Sequence, residues 1–216
     1  VMQTHEIPGL AIAVVKNGKT MYKQYYGRAF ADKSAPVTAR SMFRVYSTTK
    51  LITSVTIFQL IEQGKLTLND QVSLYLKKLP AHWKHVQIQH LLTHSSGLPD
   101  IIKYPSNLSD QALMSRLSAD PMEFETGSRF YYNQTNYWLL AQVIEQLSGQ
   151  PFATYVLQKQ FSNNRQGVLF SSNSTAAIPH RIVKMRYDMH SKTYKKTTHN
   201  NGVRAQLAAL AQITTN

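Results

Sequence analysis

The sequence predicts an α+β fold, and three observations carry that prediction. An apolar, β-branched run at 10–15 leads through Asn17-Gly18 into a second extended stretch, TMYKQYYGRAF. Residues 48–63 are apolar on nearly every side, and residues 70–159 hold several helix-length segments bounded by capping and turn residues. The 216 residues suffice for one sizeable core. We read 1–216 as a single domain with a helical subdomain over about 70–159.

Asn-Gly between two apolar runs is the strongest short hairpin signal, because both turn positions favour positive φ. An antiparallel hairpin is therefore expected at the start, and Pro36 and Thr38 punctuate the loop after it. Over 48–63, Leu51, Ile52, Val55, Ile57, Phe58, Leu60 and Ile61 make the segment hydrophobic almost all round, which predicts a fully packed central helix ended by Gly64. Short helices are expected over 70–76 and 88–93, followed by the turn-rich HSSGLPD at 94–100, with His94 holding that turn. Ser109 is placed to cap a helix over 110–117. Tyr137, Leu140, Ala141, Ile144 and Leu147 recur at helical spacing before Ser148-Gly149, and Pro151 suits the first turn of a helix reaching about 159. Periodicity fades from Ser162, and a last helix is expected over 205–213.

Composition excludes several classes of function. Cysteine is absent, which removes disulfides, thiol catalysis and Cys-type zinc sites together. No apolar run approaches the ~20 residues of a membrane helix, so no membrane span is expected. VMQTHEIPG has no signal-peptide pattern, and a processed secreted chain would look the same. The net charge of +13 is uneven: nine Lys and Arg residues from Lys159 onward face the single acid Asp188. Tyr187 and Tyr194 among them follow no stacking motif, so a solvated basic face is expected and no nucleic-acid partner. His90 and His94 are four apart, without a His-Glu-x-x-His pattern or an acidic partner at metal-site spacing. No metal and no cofactor are expected.

The chemistry centres on VYSTTK. A pitch of 3.6 residues per turn sets positions i and i+3 on one face, so Lys50 stands beside the Ser47 hydroxyl if a helix begins there. The helix N-terminus favours developing negative charge near Ser47, as acyl transfer requires. By itself the Ser-x-x-Lys pattern is weak and reads as structural, with Ser47 an N-cap. What raises it is that Lys50, at the entry of an otherwise apolar helix, would be partly desolvated.

The blocks IPGLAIAVVKNGK, SMFRVYSTTK, LIEQGKLTLNDQVSLYL, HLLTHSSGLPD and TGSRFYYNQTNYWLLAQVIEQLSG, spread over roughly residues 6–160, resemble the serine β-lactamase-like family. That family holds class C β-lactamases, D-Ala-D-Ala carboxypeptidases and related esterases. The resemblance implies a β-lactamase/transpeptidase-like fold, an antiparallel sheet flanked by helices plus a helical subdomain. It implies acylation of Ser47, with Lys50 as its proton-handling partner. The family's Tyr-x-Asn falls on Tyr132, with Gln134 at the third position; a literal Tyr-x-Asn lies one residue earlier, as Tyr131-Tyr132-Asn133. Gln134 and Asn133 are the implied substrate-binding amides, and paired aromatic packing is the expected role of Tyr131 or Tyr132 if either is not catalytic.

The resemblance further implies a Lys-Thr-Gly or His-x-Gly strand that supplies an oxyanion-hole amide. No such strand is legible, and the expected fold lacks these C-terminal strands; His199-Asn200-Asn201-Gly202 is nearest in type but at the wrong spacing. The implied function is a serine hydrolase acting through an acyl-enzyme on a β-lactam, a D-amino-acid peptide or a simple ester. The alternative is a catalytically degenerate relative that binds cell-wall polymer or a protein. The expected partner is a small-molecule or peptidoglycan-like substrate in a periplasmic or secreted setting.

Overall fold

A computed structural model describes residues 1–29, 35–163, 167–170, 178–182, 185–196 and 212–213. The hairpin forms where Asn17-Gly18 predicts it. Strands β1 (Gly9–Lys16) and β2 (Lys19–Gly27) pair antiparallel, with a bulge at Val14/Val15. Asn17 and Gly18 take φ values of 49° and 73°, the positive pair that a tight two-residue turn needs. Most hairpin side chains are exposed, including Val14, Val15 and Met21.

Strand β3 (Phe43–Arg44) leads through a 3₁₀ turn over Tyr46–Thr48 into helix α1 (Thr49–Glu62). Gly64 follows the helix at φ 68°, as its role as a stop requires. Helices α2 (Ile88–Leu92), α3 (Asp110–Ala119), α4 (Gln134–Ser148) and α5 (Phe152–Gln160) build the helical part. The expected helix at 70–76 is a single 3₁₀ turn, Val72–Leu74. Ser109 caps α3 as predicted, its Oγ accepting the Ala112 amide at 3.2 Å. Gly149 ends α4 at φ 66°, a left-handed cap. Pro151 is the N-cap residue of α5, one position ahead of the predicted first turn.

The core corrects one expectation. Helix α1 is not buried all round: Leu51, Val55 and Phe58, spaced as one helical face, are exposed, Leu51 to 64%. Only the opposite face, through Ile52, Ile57 and Leu60, enters the core. Thr49, Lys50, Thr53 and Thr56 are buried on the covered side while Leu51, Val55 and Phe58 stay exposed, so neighbouring elements, not hydrophobicity alone, decide which side is covered. The enveloped helix is α4, which packs against α1, α2 and α5 and buries Trp138, Leu139, Leu140, Val143 and Ile144. Each such side chain contributes about 1.5–3 kcal/mol through removal from water. A polar seam between α1 and α5 is satisfied, with Gln160 Nε2 donating to Thr56 Oγ1 at 2.6 Å and to the Ile52 carbonyl at 2.9 Å.

Toward the C-terminus, β4 (Val168–Leu169), β5 (Met185–Asp188), β6 (Thr193–Lys196) and β7 (Gln212–Ile213) are short strands. β7 lies between β3 and β4, antiparallel to both, and β5 pairs with β6. Gln212 and Ile213 are therefore strand where a helix was expected; pairing with distant segments leaves no trace in local periodicity. The rest of that expected helix, 205–211, and His199 to Gly202 lie outside the described residues.

Candidate active site

Ser47 sits in the 3₁₀ turn that leads into α1, with its side chain exposed. Tyr46, immediately before it, is held at φ 43°. That left-handed backbone is costly for a residue with a Cβ, and such strain collects at functional turns. Lys50, on the first turn of α1, is only 8% exposed. Its Nζ donates to Gln134 Oε1 at 2.8 Å and lies 4.9 Å from the Tyr132 ring centre and 5.4 Å from that of Tyr137. The two aromatic faces and the amide oxygen offset part of what the ammonium loses on leaving water. The Tyr132 hydroxyl donates to Ser47 Oγ at 2.7 Å. Ser47 is not the helix cap, since Thr48 holds that position with no side-chain cap bond.

Tyr132 and Gln134 are placed by the turn at 94–100. The His94 carbonyl accepts the Tyr131 amide at 2.8 Å, and His94 Nδ1 accepts the Asn133 amide at 3.2 Å. Backbone bonds from Gly127 to Ser95 and from Glu123 to Gly97 tie the same turn to the preceding loop. Gly97 permits this approach: it takes φ 74°, and a Cβ there would lie 2.1 Å from the Phe124 carbonyl oxygen. Buried Asp100 accepts the Ile102 and Gln134 amides through one oxygen, which anchors the start of α4 under Lys50.

The electrostatics follow from this packing. Burial opposes ionisation of the Tyr132 phenol, but hydrogen bonds to Lys50 and Ser47, the Lys50 charge and Gln134 outweigh it, and the pKa is lowered. His94 is pushed down to about 4, first by burial and then by the Lys50 charge. Burial raises the Asp100 carboxyl, against the pull of its two backbone amides.

Of the residues singled out in the sequence, Ser47, Lys50, Tyr132 and Gln134 come together, and Asn133 does not. Asn133 is 2% exposed; its Nδ2 donates to the Leu98 carbonyl at 2.6 Å and its Oδ1 caps α4 through the Thr135 amide at 2.7 Å. With both ends of its amide engaged in the fold, Asn133 is corrected from a substrate-binding residue to a helix cap. Tyr131 turns its exposed ring edgewise to Phe124. His90 Nδ1 accepts the Gln87 amide in a capping box. Sequence reasoning missed Tyr46 and Asp100, and it assigned His94 only to its turn; the positive φ of Tyr46 has no local signal.

Residues 1–211 match the family model described as Beta-lactamase. The chain belongs to the beta-lactamase family. A penicillin-binding protein of Bacillus subtilis strain 168 is 30% identical over 207 residues, covering 89% of this chain and 45% of that one. Protein flp of Staphylococcus aureus strain MRSA252 is 27% identical over 164 residues, covering 72% of this chain and 33% of that one. The crystal structure of a penicillin binding protein from Bacillus halodurans superposes with a TM-score of 0.79 at 26% identity, covering 99% of this chain and 67% of that one. The chain thus has the β-lactamase/transpeptidase fold and spans less than half the length of these two curated relatives. Among the described residues, no helix is long and apolar enough to cross a membrane.

Proposed function

We propose that the chain carries the nucleophile half of a serine hydrolase that works through an acyl-enzyme. The observation that carries this reading is the contact of Ser47 Oγ with the Tyr132 hydroxyl, beside a buried Lys50 held by Gln134. In the reactive state the Lys50 and Tyr132 pair holds one proton fewer than ammonium plus phenol. As Ser47 Oγ bonds to the carbonyl carbon of an ester or amide, its proton passes to Tyr132 and the carbonyl π electrons move to oxygen. Collapse of the tetrahedral intermediate breaks the bond to the leaving group, which takes that proton from Tyr132. Water then repeats the sequence on the acyl-serine and restores Ser47. The lowered Tyr132 pKa supports Tyr132 as the group in contact with the travelling proton. Substrates of this reading are β-lactams, D-amino-acid peptides or simple esters, in free form or as part of a peptidoglycan-like polymer.

Intact-protein mass after incubation with a fluorophosphonate tests the proposal, beside Ser47→Ala. One adduct on the parent and none on the variant is the expected result. A folded parent that takes no adduct, or a variant that is labelled equally, rejects it.

A further inference from the structure

His94 is buried at the junction of the site and has no part in the chemistry above. Its ring lies 4.6 Å from that of Tyr132 at 38°, 5.2 Å from Tyr137 at 37°, and 5.9 Å from Phe130 edge-on. The residue also grips both sides of Tyr132 along the chain. Its carbonyl takes the Tyr131 amide and its Nδ1 takes the Asn133 amide, so the catalytic tyrosine is suspended between two bonds to one residue.

A third contact defines the proton on the ring. Asn136 Oδ1 accepts the Ser96 hydroxyl at 2.6 Å, which turns Asn136 Nδ2 toward His94 Nδ1 at 3.2 Å. Nδ1 thus faces two N–H donors and must be the bare nitrogen, with the proton on Nε2. An imidazolium, or the other tautomer, would set N–H against N–H and open the clamp.

We infer that His94 is a positioning residue for Tyr132: a neutral, Nε2-protonated imidazole that holds the phenol on Ser47 by accepting the Asn133 amide. The inference rests on the acyl-enzyme reading for its consequence in rate and on geometry alone for the clamp. The titratable groups around the ring are Lys50 from α1, Tyr132 from the stretch before α4 and Tyr137 from α4. Burial and the Lys50 charge keep the imidazole uncharged, as the clamp needs. The backbone at His94, φ 57°, is one that asparagine and glycine tolerate, which supplies matched variants. Asparagine places an acceptor oxygen near the position of Nδ1, and glycine has none.

Three measurements on the full chain test the inference. First, ¹⁵N NMR of the unmodified protein at neutral pH should show Nδ1 bare and Nε2 protonated; the opposite tautomer or an imidazolium overturns the inference directly. Second, the Tyr132 phenol is titrated by ¹³Cζ-tyrosine NMR, which reads it whether or not Ser47 is reactive. Its pKa should stay low in His94→Asn and return toward the ordinary value in His94→Gly. Third, the rate of fluorophosphonate labelling should fall about 10–100-fold in His94→Gly and largely recover in His94→Asn. Equal behaviour of the two variants in titration overturns the clamp. An unlabelled parent whose Tyr132 titration still follows His94 rejects the acyl-enzyme reading and leaves the clamp standing.

Discussion

The Tyr132 hydroxyl donates a 2.7 Å hydrogen bond to Ser47 Oγ across 85 positions of the chain. That one bond joins the turn before α1 to the stretch before α4, and the proposed acylation of Ser47 rests on it.

Tyr132→Phe keeps the ring on His94 and under Lys50 and removes only the oxygen that contacts Ser47. Labelling of Ser47 by a fluorophosphonate should slow by about 10²–10⁴-fold, the usual worth of a positioned acid–base group. Stability by urea unfolding should change by no more than about 0.5 kcal/mol, since the hydroxyl is at the exposed side of the site. A variant labelled at the parent rate would remove Tyr132 from the mechanism.

Lys50→Met keeps an apolar stem of similar length and deletes the charge. Acylation should be abolished with the fold intact, as judged by mass and circular dichroism. The Tyr132 pKa should rise at the same time, because Lys50 supplies both a hydrogen bond and a charge that lower it. Gln134→Leu, which removes the acceptor at 2.8 Å from Lys50, should give an intermediate loss of rate.

Stability should fall on acidification through the range set by His94. Its folded pKa of about 4 lies below the unfolded 6.5, so between these values the unfolded chain binds the proton and the folded chain does not. The contribution is complete above about pH 6.5 and is lost progressively down to about pH 4, on the order of 3 kcal/mol in total. His90, lowered by burial, acts in the same sense. Asp100 is raised by burial and acts in the opposite sense as its carboxyl ionises. Urea unfolding at pH 7 and pH 4.5, repeated with His94→Asn, isolates the histidine: the variant should show a smaller loss.

Asn133→Ala should destabilise the fold. It deletes the α4 cap and strands the buried Leu98 carbonyl, together about 2–4 kcal/mol. Asn133→Ser, which restores a cap to α4, should recover part of that loss in urea unfolding. Full stability of the alanine variant would return Asn133 to the site as a residue free to meet substrate.

Much of the local structure was legible in the sequence because its causes lie within a few residues. Asn17-Gly18 makes the hairpin turn, Ser109 caps α3, Gly149 ends α4, and a helix does begin beside Ser47, which lies in the 3₁₀ turn leading into it while Lys50 lies on its first turn. The order of blocks carried the family, and the spacing of its blocks pointed to Tyr132, the tyrosine that the fold brings to Ser47. Tertiary packing decided the rest. Asn133 and Gln134 are adjacent amides in the sequence, and only the start of α4 makes the first a buried cap and sends the second to Lys50. Helix α1 is apolar on nearly every side, yet its partners cover the side that carries Thr49, Thr53 and Thr56 and leave Leu51, Val55 and Phe58 in solvent. His94 bonds to Asn133 across 39 positions and to Asn136 across 42, so its grip on Tyr132 has no local signature. Caps, turns and pitch are short-range forces written residue by residue; burial and the meeting of distant side chains exist only once the chain has closed on itself.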